Sequence, residues 1–245
     1  MIRIVPSENL GRHLGFAVPF VTPQKVYARP LSSFRMETDD APILRYIYGN
    51  FRPRRHLEFG TWQGFGAALC ASSCDAEIWT INLPGGERDA AGRPRYAASA
   101  GDLPQPLREK KRASGDDSPI QTDAGDSIGW MYREAGYGDR VHQILCDSRA
   151  WSTKDFTAGF FDSVLIDGGH APDVVRNDTD KAIPLLASGG LMIWHDFTAD
   201  IESLEQMEAS RGVVRAVVEN LDRWSKYFKD IFWIRPSLIL MAIRI

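Results

Sequence analysis

Hydrophobic and polar residues alternate along the chain in blocks that predict strands and helices in turn. Several short apolar runs have the length of buried strands: residues 56–59, 78–81, 141–145, 162–166 and 191–194. Between them, apolar residues recur at the spacing of an amphipathic helix or form small-residue segments that suit close packing on a sheet. The predicted helices are residues 39–48, 66–73, 128–135, 173–186 and 212–224. Asp39 or Asp40 is placed to cap the first helix, and Gly49 to end it.

The last part of the chain predicts an antiparallel hairpin, residues 231–234 and 238–245, joined by a tight connection at 235–237. Strand–helix alternation followed by a hairpin predicts a doubly wound, mostly parallel α/β sheet of seven strands. Two segments lack a sustained hydrophobic period. Residues 1–38 predict an irregular N-terminal arm, and residues 83–126 a long lid-like insertion in the domain formed by 39–245.

Composition narrows the class of protein. A chain of 245 residues, 44% of them hydrophobic, is long enough for one large α/β domain. A net charge of −3 gives no basic footprint for nucleic acid. No apolar run approaches the roughly 18–20 residues of a membrane span, and the first residues lack the features of a signal peptide. Three cysteines do not predict a disulfide framework. We therefore expect a cytoplasmic protein with neither membrane nor nucleic-acid partners.

Acids, glycines and histidines follow three of the predicted strands. The first strand runs through Glu58 into a turn containing Gly60, Thr61 and Gly64. A later strand ends in Asp167-Gly168-Gly169-His170, and another in His195-Asp196. In an open parallel sheet, ligands bind outside the carboxyl ends of the strands. The sequence therefore predicts one ligand crevice shared by these three strand ends.

Glycine turns of this kind serve several ligands. A P-loop is excluded because Phe65-Gly66-Ala67 stands where Gly-Lys-Ser/Thr is needed. The Gly60-x3-Gly64-x-Gly66 spacing fits a short-chain dehydrogenase, but no tyrosine has a lysine four residues later. Glu58 could order the turn, accept from a ligand's ammonium or hydroxyl, or simply cap backbone donors.

The ordered set of motifs resembles class I S-adenosylmethionine-dependent methyltransferases, in particular the small-molecule O-methyltransferase branch. The matching motifs are Glu-x-Gly-Thr-x-x-Gly, Ile-Asp-Gly-x-His, and Gly-Gly followed by an apolar strand and His-Asp. The resemblance covers residues 39–245 outside the insertion. It implies a Rossmann-like methyltransferase fold and S-adenosylmethionine as cofactor.

The resemblance also implies residue roles. The loop under the methionine part of the cofactor would be formed by Glu58, Gly60, Thr61 and Gly64. Asn82 stands where relatives offer an acid to the ribose hydroxyls, which weakens that contact because an amide is uncharged. Asp147 and Ser148 match the position that contacts adenine, or form a turn cap. Asp167 completes the expected cofactor-binding set.

Two alternatives remain for how the reactive residues would activate the substrate hydroxyl. In metal-dependent relatives, acids at the positions of Asp167 and Asp196 bind Mg²⁺, which would lower the pKa of a substrate hydroxyl. In a metal-free alternative, His170 or His195 acts as general base beside Asp196. Each histidine also has a structural interpretation, as a hydrogen-bonding or packing residue. Asp178 is typical of a solvated or capping acid.

The first functional hypothesis is therefore methyl transfer from S-adenosylmethionine to a hydroxyl of a small molecule, such as a sugar, polyketide or other secondary metabolite. The alternative is a cofactor-binding protein of the same fold without transfer activity. The aromatic-rich arm is also a candidate contact for a homo-oligomer.

Overall fold

A computed structural model describes residues 1–23, 29–84 and 128–245. Within these ranges the strands are β1 (Arg3–Pro6), β2 (Arg55–Phe59), β3 (Glu77–Asn82), β4 (Val141–Leu145), β5 (Phe161–Ile166), β6 (Leu186–Trp194), β7 (Phe228–Arg235) and β8 (Ile239–Arg244). The α-helices are α1 (Leu10–Leu14), α2 (Ala41–Phe51), α3 (Phe65–Ser73), α4 (Trp130–Glu134), α5 (Pro172–Leu185), α6 (Ile201–Gln206) and α7 (Glu208–Trp224). The predicted insertion lies almost wholly outside the described residues.

All the described strands join one sheet in the order β1-β7-β8-β6-β5-β2-β3-β4. Strand β8 is antiparallel to both of its neighbours, β6 and β7, and the other pairings are parallel. The predicted fold class, a mostly parallel doubly wound sheet with an antiparallel C-terminal hairpin, is confirmed. Strands β2, β3, β5 and β6 lie side by side in parallel, so their carboxyl ends meet at one edge.

The eighth strand comes from the segment that we expected to be irregular. Strand β1 pairs in parallel with β7, in the register Arg3 to Phe232 and Pro6 to Arg235. This strand has four residues, one of them proline, so it shows no period from which it could be predicted.

Some predicted boundaries are wrong. Helix α2 passes through Gly49 to Phe51, and Arg52 ends it in a left-handed conformation with φ 51°. Asp40 makes no capping hydrogen bond to α2. Helix α7 begins at Glu208, before the expected Gly212, and strand β6 begins at Leu186 and includes the Gly189-Gly190 pair. Local start and stop signals therefore do not fix the ends of these elements.

Buried apolar side chains form a core layer on each face of the sheet. Successive strand residues point to opposite faces, and accordingly Val164 and Leu165 belong to different clusters. Helices α5 and α7 cover one face through Val175 and Val217. Helices α2 and α3 cover the other through residues such as Leu44. None of the helices in the described part of the chain is long and apolar enough to cross a membrane.

Candidate active site

The turn after β2 packs directly on the end of β5. Gly60 has φ +100°, and a Cβ there would lie 2.0 Å from the carbonyl oxygen of Asp167. Its N–H donates to the carbonyl of Ile81 at 2.9 Å, while the N–H of Asp167 donates to Phe59 at 2.8 Å. Glycine is therefore required at this position by both backbone conformation and space. The contact brings two of the predicted strand ends together.

Glu58 lies beneath this turn and is buried. Its Oε2 accepts from the hydroxyl of Thr80 at 2.5 Å, and its carboxyl also accepts from the N–H of Ala67 in α3. A Cβ on Gly66 would lie 2.0 Å from Oε1 of Glu58, so that glycine lets the helix approach the carboxyl. Burial raises the pKa of Glu58 to about 8, although the Thr80 hydrogen bond opposes the shift.

Hydrogen bonds extend from Glu58 across the sheet to α4. The hydroxyls of Thr80 and Thr61 are 2.7 Å apart. The side-chain amide of Gln143 donates to Oγ1 of Thr61 at 2.9 Å and to the carbonyl of Thr80 at 3.1 Å. The hydroxyl of Tyr132 donates to Oε1 of Gln143 at 3.2 Å. Thr61 is thus a buried link in a polar chain that spans β2, β3, β4 and α4.

The outer part of the turn is held by Asn82 and the start of α4. Oδ1 of Asn82 accepts from the N–H of Trp62 at 2.9 Å, and Trp62 has a left-handed φ of 41°. Gly129 donates to the carbonyl of Trp62 at 2.8 Å, and Met131 to that of Gln63 at 2.9 Å. Asn82 therefore orders the turn, a role that the resemblance to methyltransferases did not imply.

Asp147 and Ser148 follow β4 at the same edge of the sheet. Asp147 pairs with Arg149 at 2.7 Å, and this hydrogen bond lowers the pKa of the carboxyl. Ser148 hydrogen-bonds to Asp178 through its side chain and accepts from Lys181 Nζ at 2.5 Å through its carbonyl. The interpretation of Asp178 as a solvated acid is wrong, because it is buried and burial raises its pKa to about 6.

His195 is the centre of a histidine–acid cluster that it forms with Asp40, Asp167, His170 and Asp196. Its side chain is 6% exposed, and its ring contacts a carboxylate through each nitrogen. Nε2 lies 3.0 Å from Oδ2 of Asp40, and Nδ1 lies 3.2 Å from Asp167 and 3.4 Å from Asp196. Burial disfavours the charged imidazole, but the carboxylates of Asp167 and Asp196 outweigh burial and raise its pKa well above the ordinary range. His195 therefore lies between the carboxylates of Asp40, Asp167 and Asp196, and its raised pKa favours the protonated ring.

His170 and Asp196 form a neighbouring pair nearer the surface. Nε2 of His170 lies 2.9 Å from Oδ2 of Asp196, and the His170 side chain is 24% exposed. Asp196 sits in the left-handed region at φ 57°. Although burial opposes its ionisation, His195 and His170 hold the pKa of Asp196 well below its ordinary value. The predicted reactive cluster of Asp167, His170, His195 and Asp196 is therefore assembled in space.

One ligand atom each from Asp167, His170 and Asp196 lies within 4.8 Å of the others, so these residues are a candidate metal set. The donor chemistry fits Mg²⁺ poorly, since Mg²⁺ prefers oxygen ligands and one donor is an imidazole. Both carboxylates also already contact His195. We assign no chemical step to a metal.

A mostly parallel α/β sheet with a glycine turn and acidic strand ends at one edge is the arrangement of a Rossmann-like ligand-binding domain. The chain belongs to the methyltransferase domain family, whose model matches residues 57–197. The match runs from within β2 to just past the end of β6, so it includes the glycine turn and the acids and histidines that follow β5 and β6, but not Asp40. The class of enzyme expected from the motifs is confirmed.

Solved structures share the fold at low identity. The O-methyltransferase from Bacillus cereus in complex with SAH has a TM-score of 0.53 at 14% identity, covering 98% of this chain and 93% of that chain. TomG from Streptomyces achromogenes, an O-methyltransferase involved in tomaymycin synthesis and solved with SAM, has a TM-score of 0.51 at 15% identity, with coverage of 97% and 87%. The SAH-bound methyltransferase PaMTH1 from Podospora anserina has a TM-score of 0.51 at 15% identity, with coverage of 99% and 89%. Among curated proteins, no match to the chain is found.

Several polar residues of the site escaped prediction. Asp40, Thr80 and Gln143 belong to no motif, and each makes its contacts with residues distant in the chain. For Thr80 and Gln143 the sequence does contain a signal, because each is a polar residue inside a predicted apolar strand.

Proposed function

We propose that the protein transfers the methyl group of S-adenosylmethionine to a hydroxyl of a small molecule. The observation that carries the proposal is the packing of Gly60 on the carbonyl of Asp167. This contact makes the glycine turn and the histidine–acid cluster two walls of one site. A methyl donor held at the turn would then face groups able to move a proton.

The residues around the turn fit this cofactor. Helix α3 begins at Phe65, and its N-cap Gly64 makes no side-chain capping hydrogen bond, so the turn offers backbone N–H groups suited to a carboxylate. Two buried donors beside it, Nε2 of Gln63 and Nε1 of Trp130, have no hydrogen-bond partner among the described residues. Buried donors of this kind are expected to find a partner, which a polar ligand would supply.

We assign the expected roles in the same way. Glu58, Gly60, Thr61 and Gly64 would shape the loop for the methionine part, and Asp147, Ser148 and Asn82 would lie toward the nucleoside. The cofactor, when bound, supplies an electrophilic methyl group on a sulfonium. The protein then has to align the acceptor and remove one proton.

The cluster supports His170 as the general base. Its imidazole is partly exposed, and Asp196 both orients it and stabilises the cation formed when it takes the hydroxyl proton. His195 contacts carboxylates through both nitrogens, which favours a positioning role. Of the two candidate bases, His170 and His195, our proposal therefore retains His170.

The hydroxyl acceptor is supported by the neighbours in fold, two of which are described as O-methyltransferases. Sugars, polyketides and other secondary metabolites remain the substrate classes that we propose. Whether the reaction requires Mg²⁺ is tested separately, by adding the ion to the transfer assay.

Isothermal titration of the protein with S-adenosylmethionine, followed by methyl transfer from labelled cofactor to a panel of hydroxyl compounds with and without Mg²⁺, tests the proposal. We expect micromolar binding and transfer to at least one acceptor. Absence of binding at millimolar cofactor would overturn it. Binding of the cofactor without transfer to any acceptor would favour the non-catalytic alternative.

A further inference from the structure

Gln143 joins Tyr132 to a polar network that includes Thr61, Thr80 and Glu58. The hydroxyl of Thr80 is hydrogen-bonded to Glu58, and the hydroxyls of Thr80 and Thr61 are hydrogen-bonded to each other. The oxygen of Thr61 accepts from Gln143, which in turn accepts from Tyr132. Neighbouring hydrogen bonds in such a network strengthen one another.

These hydrogen bonds pass through Thr61, in the turn that the methyltransferase proposal places under the cofactor. Thr61 is 2% exposed, so its hydroxyl has little water available. Gln143, on β4, donates a hydrogen bond to the oxygen of Thr61. Without Gln143 this buried oxygen would lose that donor. An unsatisfied buried group costs more than the bond itself contributes.

Helix α4 holds the same turn from the other side. A Cβ on Gly64 would lie 2.8 Å from both the Cα of Gly129 and the ring of Tyr132, so the helix packs against the turn at backbone distance. Gly129 and Met131 donate to the carbonyls of Trp62 and Gln63. The left-handed conformation of Trp62 is one that surrounding contacts must maintain.

We propose that Gln143 and Tyr132 are positioning residues for the cofactor turn: they fix the hydroxyl of Thr61 and hence the backbone of residues 61–64 in the binding conformation. This inference rests on the proposed function, because it names residues that prepare the same site. It goes further by placing the determinants of cofactor affinity on β4 and α4, outside the glycine motif.

The variant Gln143→Met keeps the length of the side chain and removes its polar contacts, and Tyr132→Phe removes one hydroxyl. The probe is S-adenosylhomocysteine, whose Kd is measured by calorimetry on the whole chain. We expect Gln143→Met to raise the Kd about tenfold, equivalent to about 1.4 kcal/mol, and Tyr132→Phe to raise it about threefold. Tyr137→Phe is the matched control, with an unchanged Kd.

A double-mutant cycle identifies the route of the effect. If Gln143 acts through the hydroxyl of Thr61, then Gln143→Met in a Thr61→Val background changes the Kd by less than about twofold. Circular dichroism at the titration temperature establishes that each variant is folded. A purely structural role would lower the Tm of Gln143→Met and leave the Kd of the folded protein unchanged.

The outcomes separate this inference from the proposed function. Binding by the unmodified protein, with an equal Kd for Gln143→Met or with effects of Gln143 and Thr61 that multiply, overturns the inference alone. Failure of the unmodified protein to bind either S-adenosylmethionine or S-adenosylhomocysteine overturns both.

Discussion

His195 and Asp40 are joined by a buried ion pair, with Nε2 3.0 Å from Oδ2, although they stand 155 positions apart in the chain. The other carboxylate oxygen of Asp40 accepts from the backbone N–H of Leu238 at 3.2 Å. One side chain thus connects the segment before α2, the end of β6 and the approach to β8. The cluster at the strand ends depends on a residue far from the sequence motifs.

Removing the charge of Asp40 should destabilise the protein. Asp40 is fully buried, and taking away one partner of a buried ion pair leaves the other charge uncompensated. We expect Asp40→Asn to lower the free energy of unfolding by about 3 kcal/mol, measured by denaturant titration. Glu219→Gln, in an exposed pair with Arg215, is the control and should cost under about 1 kcal/mol. Equal losses of unfolding free energy in the two variants would show that the buried pair contributes no more to stability than the exposed pair.

Glu58 should make the protein less stable as pH rises. Its pKa is raised to about 8 in the folded state, so between its unfolded value near 4.5 and 8 the folded protein holds a proton that the unfolded chain releases. Its contribution is complete below pH 4.5 and is lost as pH increases through 8. We expect Glu58→Gln to flatten the decline of Tm with pH by roughly 3–6 °C per pH unit. Parallel Tm profiles for the two proteins would rule this out.

A pair of glycine substitutions separates helix propensity from packing. Gly49 lies inside α2, and a Cβ there would meet its nearest atom, the carbonyl oxygen of Ser73, at an ordinary 3.8 Å. Gly49→Ala should therefore stabilise the protein by about 0.5–1 kcal/mol. Gly66→Ala should destabilise it by about 2–3 kcal/mol, because the new methyl group would overlap the carboxyl of Glu58, which burial and hydrogen bonds prevent from moving. Denaturant midpoints measured on both variants test the contrast, which the opposite order would contradict.

The His170–Asp196 pair should matter for turnover more than for cofactor binding. Once an acceptor is known, His170→Asn is expected to lower kcat by about 10²–10⁴-fold, with the Kd for S-adenosylmethionine within about twofold of the unmodified value. His142→Asn removes an exposed histidine on β4 and is expected to leave both quantities unchanged. A kcat for His170→Asn equal to that of His142→Asn would remove His170 from the proposed mechanism.

Local patterning was sufficient to predict how the sheet and its strand ends are arranged. Alternating strands and helices limit the connections that a parallel sheet allows. The sequence alone therefore predicts that one edge of the sheet carries Glu58, Asp167 and Asp196. The structure places the glycine turn against Asp167, and Asp167 against His195. The order of motifs was therefore enough to predict the cluster, although not the role of each member.

The remaining features depend on contacts that no local pattern contains. Asp40 looks like a helix cap because capping is what an acid does at that position on its own, and only the folded chain brings His195 to it. Asp178 has a polar helical setting, yet it is buried against Ser148. Gln143 interrupts a predicted strand without indicating its partner. The partners of these polar side chains are distant in sequence, so no local pattern identifies them.

The insertion of β8 between β6 and β7 has a consequence for the time at which the site is completed. The hydrogen bond from Leu238 to Asp40 closes 198 residues of chain, so it belongs to the most non-local contacts of the fold. During synthesis the glycine turn and the acids of β5 and β6 leave the ribosome well before Leu238 does. A nascent chain carrying all the sequence motifs would still lack the backbone donor that anchors Asp40, and with it the finished histidine–acid cluster.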